Sequence, residues 1–252
     1  MNSFRLDGEL ALITGGGTGL GLAMASAMAE AGAKVIIIGR REGVLQEAVK
    51  TIGHDAGYIA HDVSDFKAAP RLLEQVSSRI GGLPTILVNN AGIHLKKWAI
   101  DTSEEELQTV FNTHVLGAFS LTRALAPYMI SKKHGSILFI GSMASLFGIP
   151  QVVAYTAAKS ALTGMVRALA TEWSPDGIRV NAIAPGWIES PMLRSAFAGD
   201  PDRAARILQR TPKHKLGEPM DVGHAAVYLC SPAARFITGV VFPVDGGVSI
   251  GF

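Results

Sequence analysis

The chain has 252 residues, of which 48% are apolar and 17% charged, with a formal net charge of +2 and a single cysteine. That apolar content supports a buried core and excludes disorder and a fibrous repeat, while the scattered basic residues leave no electrostatic footprint for nucleic acid. A lone Cys230 in an apolar segment excludes an internal disulfide and reads as a buried small residue in a reducing compartment.

Asp7 and Glu9 interrupt the apolar residues of the N-terminus, and no apolar run approaches membrane-spanning length. Neither a signal peptide nor a transmembrane helix is expected, so a cytoplasmic protein without a membrane partner is predicted. In chain order, short β-branched runs predict strands at 10–14, 34–38, 57–61, 86–88, 136–140, 179–184 and 240–244. Longer patterns between them predict helices at 19–31, 43–52, 68–79, 104–130, 153–173 and 221–231. The alternation predicts an α/β fold: a doubly wound, Rossmann-type parallel sheet of seven strands with helices on both faces, forming one domain over 1–252. The stretch 187–219 lacks clear periodicity and follows a strand end, where ligand-binding loops of such sheets sit.

The first strand runs into Thr14-Gly15-Gly16-Gly17-Thr18-Gly19-Leu20-Gly21 and then an Ala-rich helix. Glycines permit a tight turn and close approach to a pyrophosphate, and the helix offers free N–H groups and its positive dipole end. A dinucleotide site is therefore predicted, although the spacing Gly-x-x-x-Gly-x-Gly differs from the common Gly-x-Gly-x-x-Gly. Further on, Tyr155 and Lys159 are spaced i and i+4, on one helix face about 6 Å apart. This sets an ammonium beside a phenol whose ordinary pKa of about 10 must fall by roughly three units for acid/base work near neutrality. Ser142 precedes Tyr155 by thirteen residues.

With these residues in view, the chain resembles the short-chain dehydrogenase/reductases in their single-domain form. Thr14-Gly15-x-x-x-Gly19-x-Gly21 matches the family's cofactor turn, Asp62-Val63 its adenine-side contact, and Asn89-Asn90-Ala91-Gly92 the segment after the fourth strand. Ser142, Tyr155 and Lys159 match the catalytic residues, and Pro185-Gly186 the turn beside the nicotinamide. The resemblance implies hydride transfer between nicotinamide C4 and a carbonyl or alcohol carbon, with no metal. Tyr155 would exchange the proton, Ser142 would hydrogen-bond the reacting oxygen, and Lys159 would bind the ribose hydroxyls and hold the Tyr155 pKa down. Cofactor contacts are implied for Gly15, Thr18, Gly19, Leu20 and Gly21 in the turn, and for Asp62, Val63, Asn89, Ala91 and Gly92. In PGWIESPM, Pro185 and Gly186 are joined by Ile188, contacting the carboxamide through its backbone, and by Ser190 in place of the usual threonine, ahead of a mobile lid. Asp62 as a helix cap and Asn89 as a turn residue stay open as alternatives.

One position departs from the family pattern. Counting back from Gly117 and Phe119 reaches His114, where the family usually has a relay asparagine. Either His114 replaces it, adding a group that titrates near neutrality, or it is a core histidine. At the end of the second strand, Gly39 stands where NAD-preferring members carry an acid, and Arg40 follows. This favours NADP(H) over NAD(H), although Thr18 occupies a position that is often basic in NADP-dependent members.

The implied activity is NAD(P)(H)-dependent oxidoreduction of a small-molecule secondary alcohol or ketone, with sugars, aldonates and polyols favoured. Lys96, Lys97, Trp98 and Arg194 are substrate-side candidates. A 3-oxoacyl-thioester (acyl-carrier-protein) reductase is the alternative within this chemistry, and a non-catalytic nucleotide-sensing protein the alternative outside it. A homotetramer or dimer packed through the 104–130 and 153–173 helices is expected, with the 248–252 tail at an interface.

Overall fold

A computed structural model of the chain describes residues 3–190, 193–194, 197 and 201–251. Pro191 and Met192 of the expected nicotinamide loop, and Phe252 of the tail, lie outside the described residues. The strands are β1 (Leu10–Thr14), β2 (Lys34–Gly39), β3 (Gly57–Ala60), β4 (Ile86–Asn89), β5 (Gly135–Ile140), β6 (Ile178–Pro185) and β7 (Val241–Val244). They form one parallel sheet in the order β3-β2-β1-β4-β5-β6-β7. The chain leaves β1 for β2 on one side and later returns to lay β4 on the other. The crossover connections therefore diverge between β1 and β4 and open a crevice at the carboxyl ends of these strands.

The helices are α1 (Gly19–Glu30), α2 (Glu42–Ile52), α3 (Ala69–Ile80), α4 (Glu104–Phe111), α5 (Ala118–Lys132), α6 (Val153–Trp173), α7 (Pro201–Arg210) and α8 (Pro219–Cys230). Side-chain alternation along each strand sorts them into two layers. Ala11 and Ile13 of β1, Ile86 and Val88 of β4, and Leu138 and Ile140 of β5 pack with α1, α2 and α8. Leu12, Leu87, Ile137 and Phe139 face the other way, onto α3, α5 and α6. Both faces are thus covered, which is why the central strands read as continuous apolar runs. At Gly223 of α8 an added Cβ would lie 3.0 Å from the Ala23 carbonyl and 3.2 Å from the Ala27 Cβ, so small residues set the close contact of α8 with α1. Cys230 is buried as expected, and burial pushes its thiol up to about 11.

Two elements differ from expectation. The single helix expected over 104–130 is α4 and α5 joined by a π-helical segment, Asn112–Gly117, where the backbone is wider by one residue per turn. A helix also lies inside the stretch read as aperiodic: α7 is short and mostly polar, so its apolar spacing rests on few residues.

Candidate active site

The glycine turn occupies the crevice between β1 and β4. Gly15 takes φ +64° and Gly19 φ +54°, left-handed conformations that suit glycine. A Cβ on Gly21 would lie 2.2 Å from the Gly15 carbonyl oxygen, so no side chain fits there without moving the turn. Thr18 caps α1 without a side-chain hydrogen bond, and the first turn of α1 carries no acid. Its leading N–H groups therefore face the crevice unneutralised, at the positive end of the helix.

A cleft of about 600 Å³ runs from this turn. Gly15, Thr18, Leu20 and Gly21 line one part of it, Arg40, Asp62 and Val63 another, and Ala91 and Gly92 a third. Arg40 and Asp62 face each other at 4.0 Å, Arg40 exposed and Asp62 half-buried. The Asp62 carboxyl is partly desolvated, but its hydrogen bonds from Ser64 and the nearby Arg40 hold it below the usual range. An elongated, glycine-floored cleft with a helix N-terminus midway fits a dinucleotide.

Five expected contacts do not line this cleft. Asn89 is buried and donates from Nδ2 to Thr122 Oγ1 at 2.9 Å, turned toward α5 and away from the cleft. Alternation along β4 explains this: Leu87 and Asn89 share the α5 face, whereas the next residue points at the glycine turn. That residue, Asn90, lines the cleft and donates from Nδ2 to the Thr14 carbonyl at 2.9 Å and the Gly15 carbonyl at 3.2 Å. The Thr14 hydroxyl accepts from the amides of Asn90 and Ala91 at 2.9 Å each, completing the tie between the β1 and β4 ends. Of the Asn-Asn pair, it is Asn90 and not the expected Asn89 that lines the cleft.

Pro185 ends β6, and a Cβ on Gly186 would lie 2.6 Å from the Asp245 Cα. Ile188 packs against the core and bridges Gly217, while the Ser190 hydroxyl accepts from the Leu193 amide at 3.1 Å. Pro185, Gly186, Ile188 and Ser190 therefore lie beyond the cleft walls described above.

Ser142 follows β5, and Tyr155 and Lys159 lie in the first two turns of α6, which packs against α4 through Ala154, Ala158 and Val110. The Ser142 and Tyr155 hydroxyls share a hydrogen bond, but burial dominates and holds the phenol above its ordinary value. Ser142 also accepts from the Ala144 amide at 3.1 Å. Lys159 is 4% exposed, donates to the Ile140 carbonyl at 2.5 Å and lies 5.5 Å from the Tyr155 ring centroid. Burial lowers its ammonium to about 7. The expectation that Lys159 depresses the Tyr155 pKa is therefore not met in this geometry, because the charge sits over the ring, turned to a carbonyl, and the phenol is desolvated.

His114 lies in the π segment, buried, with its ring edge-on to Tyr155 at 5.5 Å. Its Nε2 is 2.8 Å from the Ile93 carbonyl and 3.1 Å from the Ile93 amide, and its tautomer decides which of the two it bonds. Nδ1 is buried without a hydrogen-bond partner among the described residues. Gly92 makes room for the ring, since a Cβ there would lie 2.3 Å from His114 Cε1. Burial, and secondarily the charge of Lys159, push His114 down to about 3. It is a neutral imidazole at working pH, so the titration near neutrality raised from the sequence is corrected.

Among the substrate-side candidates, Lys97 pairs with both Glu106 oxygens at 3.0 Å, and Arg194 pairs with Glu189 at 3.1 Å. Trp98 and Lys96 are exposed. Among the described residues no cluster suited to a metal ion occurs, and no helix is long and apolar enough to cross a membrane.

A nucleotide-binding α/β sheet with a serine, a tyrosine and a buried lysine converging at its carboxyl edge defines a class of oxidoreductase. The comparisons agree: a family model described as enoyl-(acyl carrier protein) reductase matches residues 15–249. The 2-dehydro-3-deoxy-D-gluconate 5-dehydrogenase of Dickeya dadantii is 39% identical over 251 residues, 98% of each chain. The galactitol 2-dehydrogenase of Rhizobium johnstonii is 39% identical over 97% of this chain and 96% of its own. The crystal structure of a gluconate 5-dehydrogenase from Burkholderia cenocepacia, in complex with NADP and tartrate, superposes with a TM-score of 0.93 at 31% identity, covering 100% of this chain and 99% of that one. The chain belongs to the short-chain dehydrogenase/reductase family. It is a nicotinamide-dependent oxidoreductase acting on CH–OH groups.

Proposed function

We propose that this enzyme interconverts a secondary hydroxyl and a ketone on a sugar, aldonate or polyol, with NADP(H) preferred over NAD(H). The observation that carries the reading is the Ser142–Tyr155 hydroxyl pair beside the buried Lys159, separated only by the His114 ring from Gly92 in the wall of the cleft. When bound, the nicotinamide gives or takes the hydride. Tyr155 gives the proton to the carbonyl oxygen in reduction and takes it from the hydroxyl in oxidation. Ser142 orients that oxygen and stabilises the charge developing on it. Lys159 would hydrogen-bond the ribose hydroxyls of the bound cofactor and would supply positive charge beside the phenol. His114 is a positioning residue in this scheme: its bond to Ile93 holds the β4–α4 loop against Tyr155, standing in for an amide.

The NADP preference rests on Arg40 at the cleft wall and on Gly39, which leaves no acid to repel a 2′-phosphate. The substrate class rests on the named activities of the relatives above. A second copy of the chain is proposed to cover Leu116, Phe119 and Val153, which are exposed on the α4–α6 side; light scattering after size exclusion checks this. NAD(P)-linked turnover across gluconate, ketogluconates, galactitol and a 3-oxoacyl thioester tests the function. Activity on the polyhydroxylated compounds, more efficient with NADP, is expected. Turnover of the thioester alone would replace the reading with acyl-thioester reduction.

A further inference from the structure

A second cleft, of about 530 Å³, lies between Lys96, the loop Phe147–Gln151, Trp187 and the Arg206, Ile207 and Arg210 side of α7. Three of its walls are close in sequence to residues of the candidate site. Lys96 lies two residues beyond His94, whose ring centroid is 5.3 Å from that of Tyr155. Phe147 follows Ser142 in the β5–α6 connection, and Trp187 follows Gly186. The Lys97 amide donates to the Gln151 carbonyl at 2.7 Å and joins the first two walls.

The lining carries three cations and no carboxylate. Nearby, Lys97 is engaged by Glu106 and Arg194 by Glu189, whereas among the described residues Lys96, Arg206 and Arg210 have no carboxylate in ion-pair range. The Arg210 guanidinium lies 4.4 Å from the Phe147 ring centroid. It is therefore steadied by an aromatic face while its N–H edges stay available for a planar, two-oxygen acceptor.

We propose that this cleft binds the carboxylate of a sugar acid, with Arg206 and Arg210 as its principal contacts and Lys96 adding charge, and that this selects aldonates over neutral polyols. The inference rests on the proposed oxidoreduction of polyhydroxylated substrates at Tyr155. A guanidinium pair offers a carboxylate charge-assisted, bidentate hydrogen bonds that a primary hydroxyl cannot match.

The test compares kcat/KM for gluconate and for galactitol in the wild type, in the double variant Arg206→Gln/Arg210→Gln and in Arg210→Lys. Melting temperatures confirm that the variants fold. The wild type is expected to favour gluconate. The gluconate-to-galactitol ratio is expected to fall roughly tenfold to a hundredfold in the double variant, mainly through KM, and less in Arg210→Lys, which keeps the charge. An unchanged ratio, or a wild-type preference for galactitol, overturns the carboxylate assignment alone. No turnover of either compound overturns the substrate reading and this assignment with it.

Discussion

Lys159 reaches under the Tyr155 ring and not to its hydroxyl: Nζ lies 5.5 Å from the ring centroid and is bonded to the Ile140 carbonyl at 2.5 Å. Sequence spacing brings the two residues to one helix face, but β5 decides where the ammonium goes. An exposed i, i+4 pair would titrate almost independently. Here burial lowers Lys159 to about 7 and raises Tyr155, so the two depart from their ordinary values for the same reason.

This placement makes Lys159 a stability liability as well as a functional group. It titrates near 7 in the fold and near the ordinary lysine value of 10.5 when unfolded, so between these pH values the unfolded chain binds the extra proton and stability rises with pH. Below about pH 7 both states hold the proton and the burial penalty is complete. Lys159→Met is therefore expected to melt above the wild type at pH 6, with the gain shrinking toward pH 10, while turnover is lost. A variant that melts lower at pH 6 would show that the Ile140 bond outweighs desolvation.

At His114 the expected outcome is the absence of a pH effect. The imidazole is neutral down to about pH 3, so His114→Asn should give a pH–rate profile of the same shape as the wild type. His114→Ala removes the Ile93 tether and leaves buried backbone polar groups to fend for themselves, at a cost of about 1–3 kcal/mol. Chemical denaturation reads that loss. A limb near neutrality that disappears in His114→Asn would restore a titrating role.

At the opposite end of the sheet, His134 meets the Glu9 carboxylate at 3.0 Å, and the Thr85 hydroxyl donates to Glu9 at 2.5 Å. The Glu9 bond raises His134, and although burial works against Glu9, the bonds from His134 and Thr85 hold its pKa down. A raised histidine stabilises the fold below its unfolded pKa of about 6.5, and the contribution fades as pH rises through the folded value. His134→Gln is expected to lower Tm at pH 5.5 and to leave it unchanged at pH 9; the reverse order would assign the pair no electrostatic role. With His134 largely exposed, the effect stays under about 1 kcal/mol.

The strands and the layers they sort were legible because buried parallel strands read as apolar runs, and the limits of β1 and α6 match residue for residue. The glycine turn was legible because steric need leaves few residue choices at Gly15 and Gly21. What stayed hidden depends on packing across elements. The π segment carries His114 and Gly117, which pack closely on Gly92 and Val63: a Cβ on Gly117 would lie 2.7 Å from the Val63 carbonyl. Which of Asn89 and Asn90 faces the cleft depends on where β4 ends. The commitment of Lys97 to Glu106, within the Ser103–Glu106 capping box, separates it from Lys96 although the two are adjacent in sequence.

The most direct test of the central claim is the turnover of Tyr155→Phe with NADP and a polyhydroxylated substrate, measured beside the affinity for NADPH by fluorescence titration. Removing the acid/base hydroxyl is expected to lower kcat by roughly a hundredfold to ten-thousandfold, with NADPH affinity nearly unchanged. Retention of more than a few per cent of wild-type kcat would contradict the account, since the proton would then be moving through a group other than the phenol.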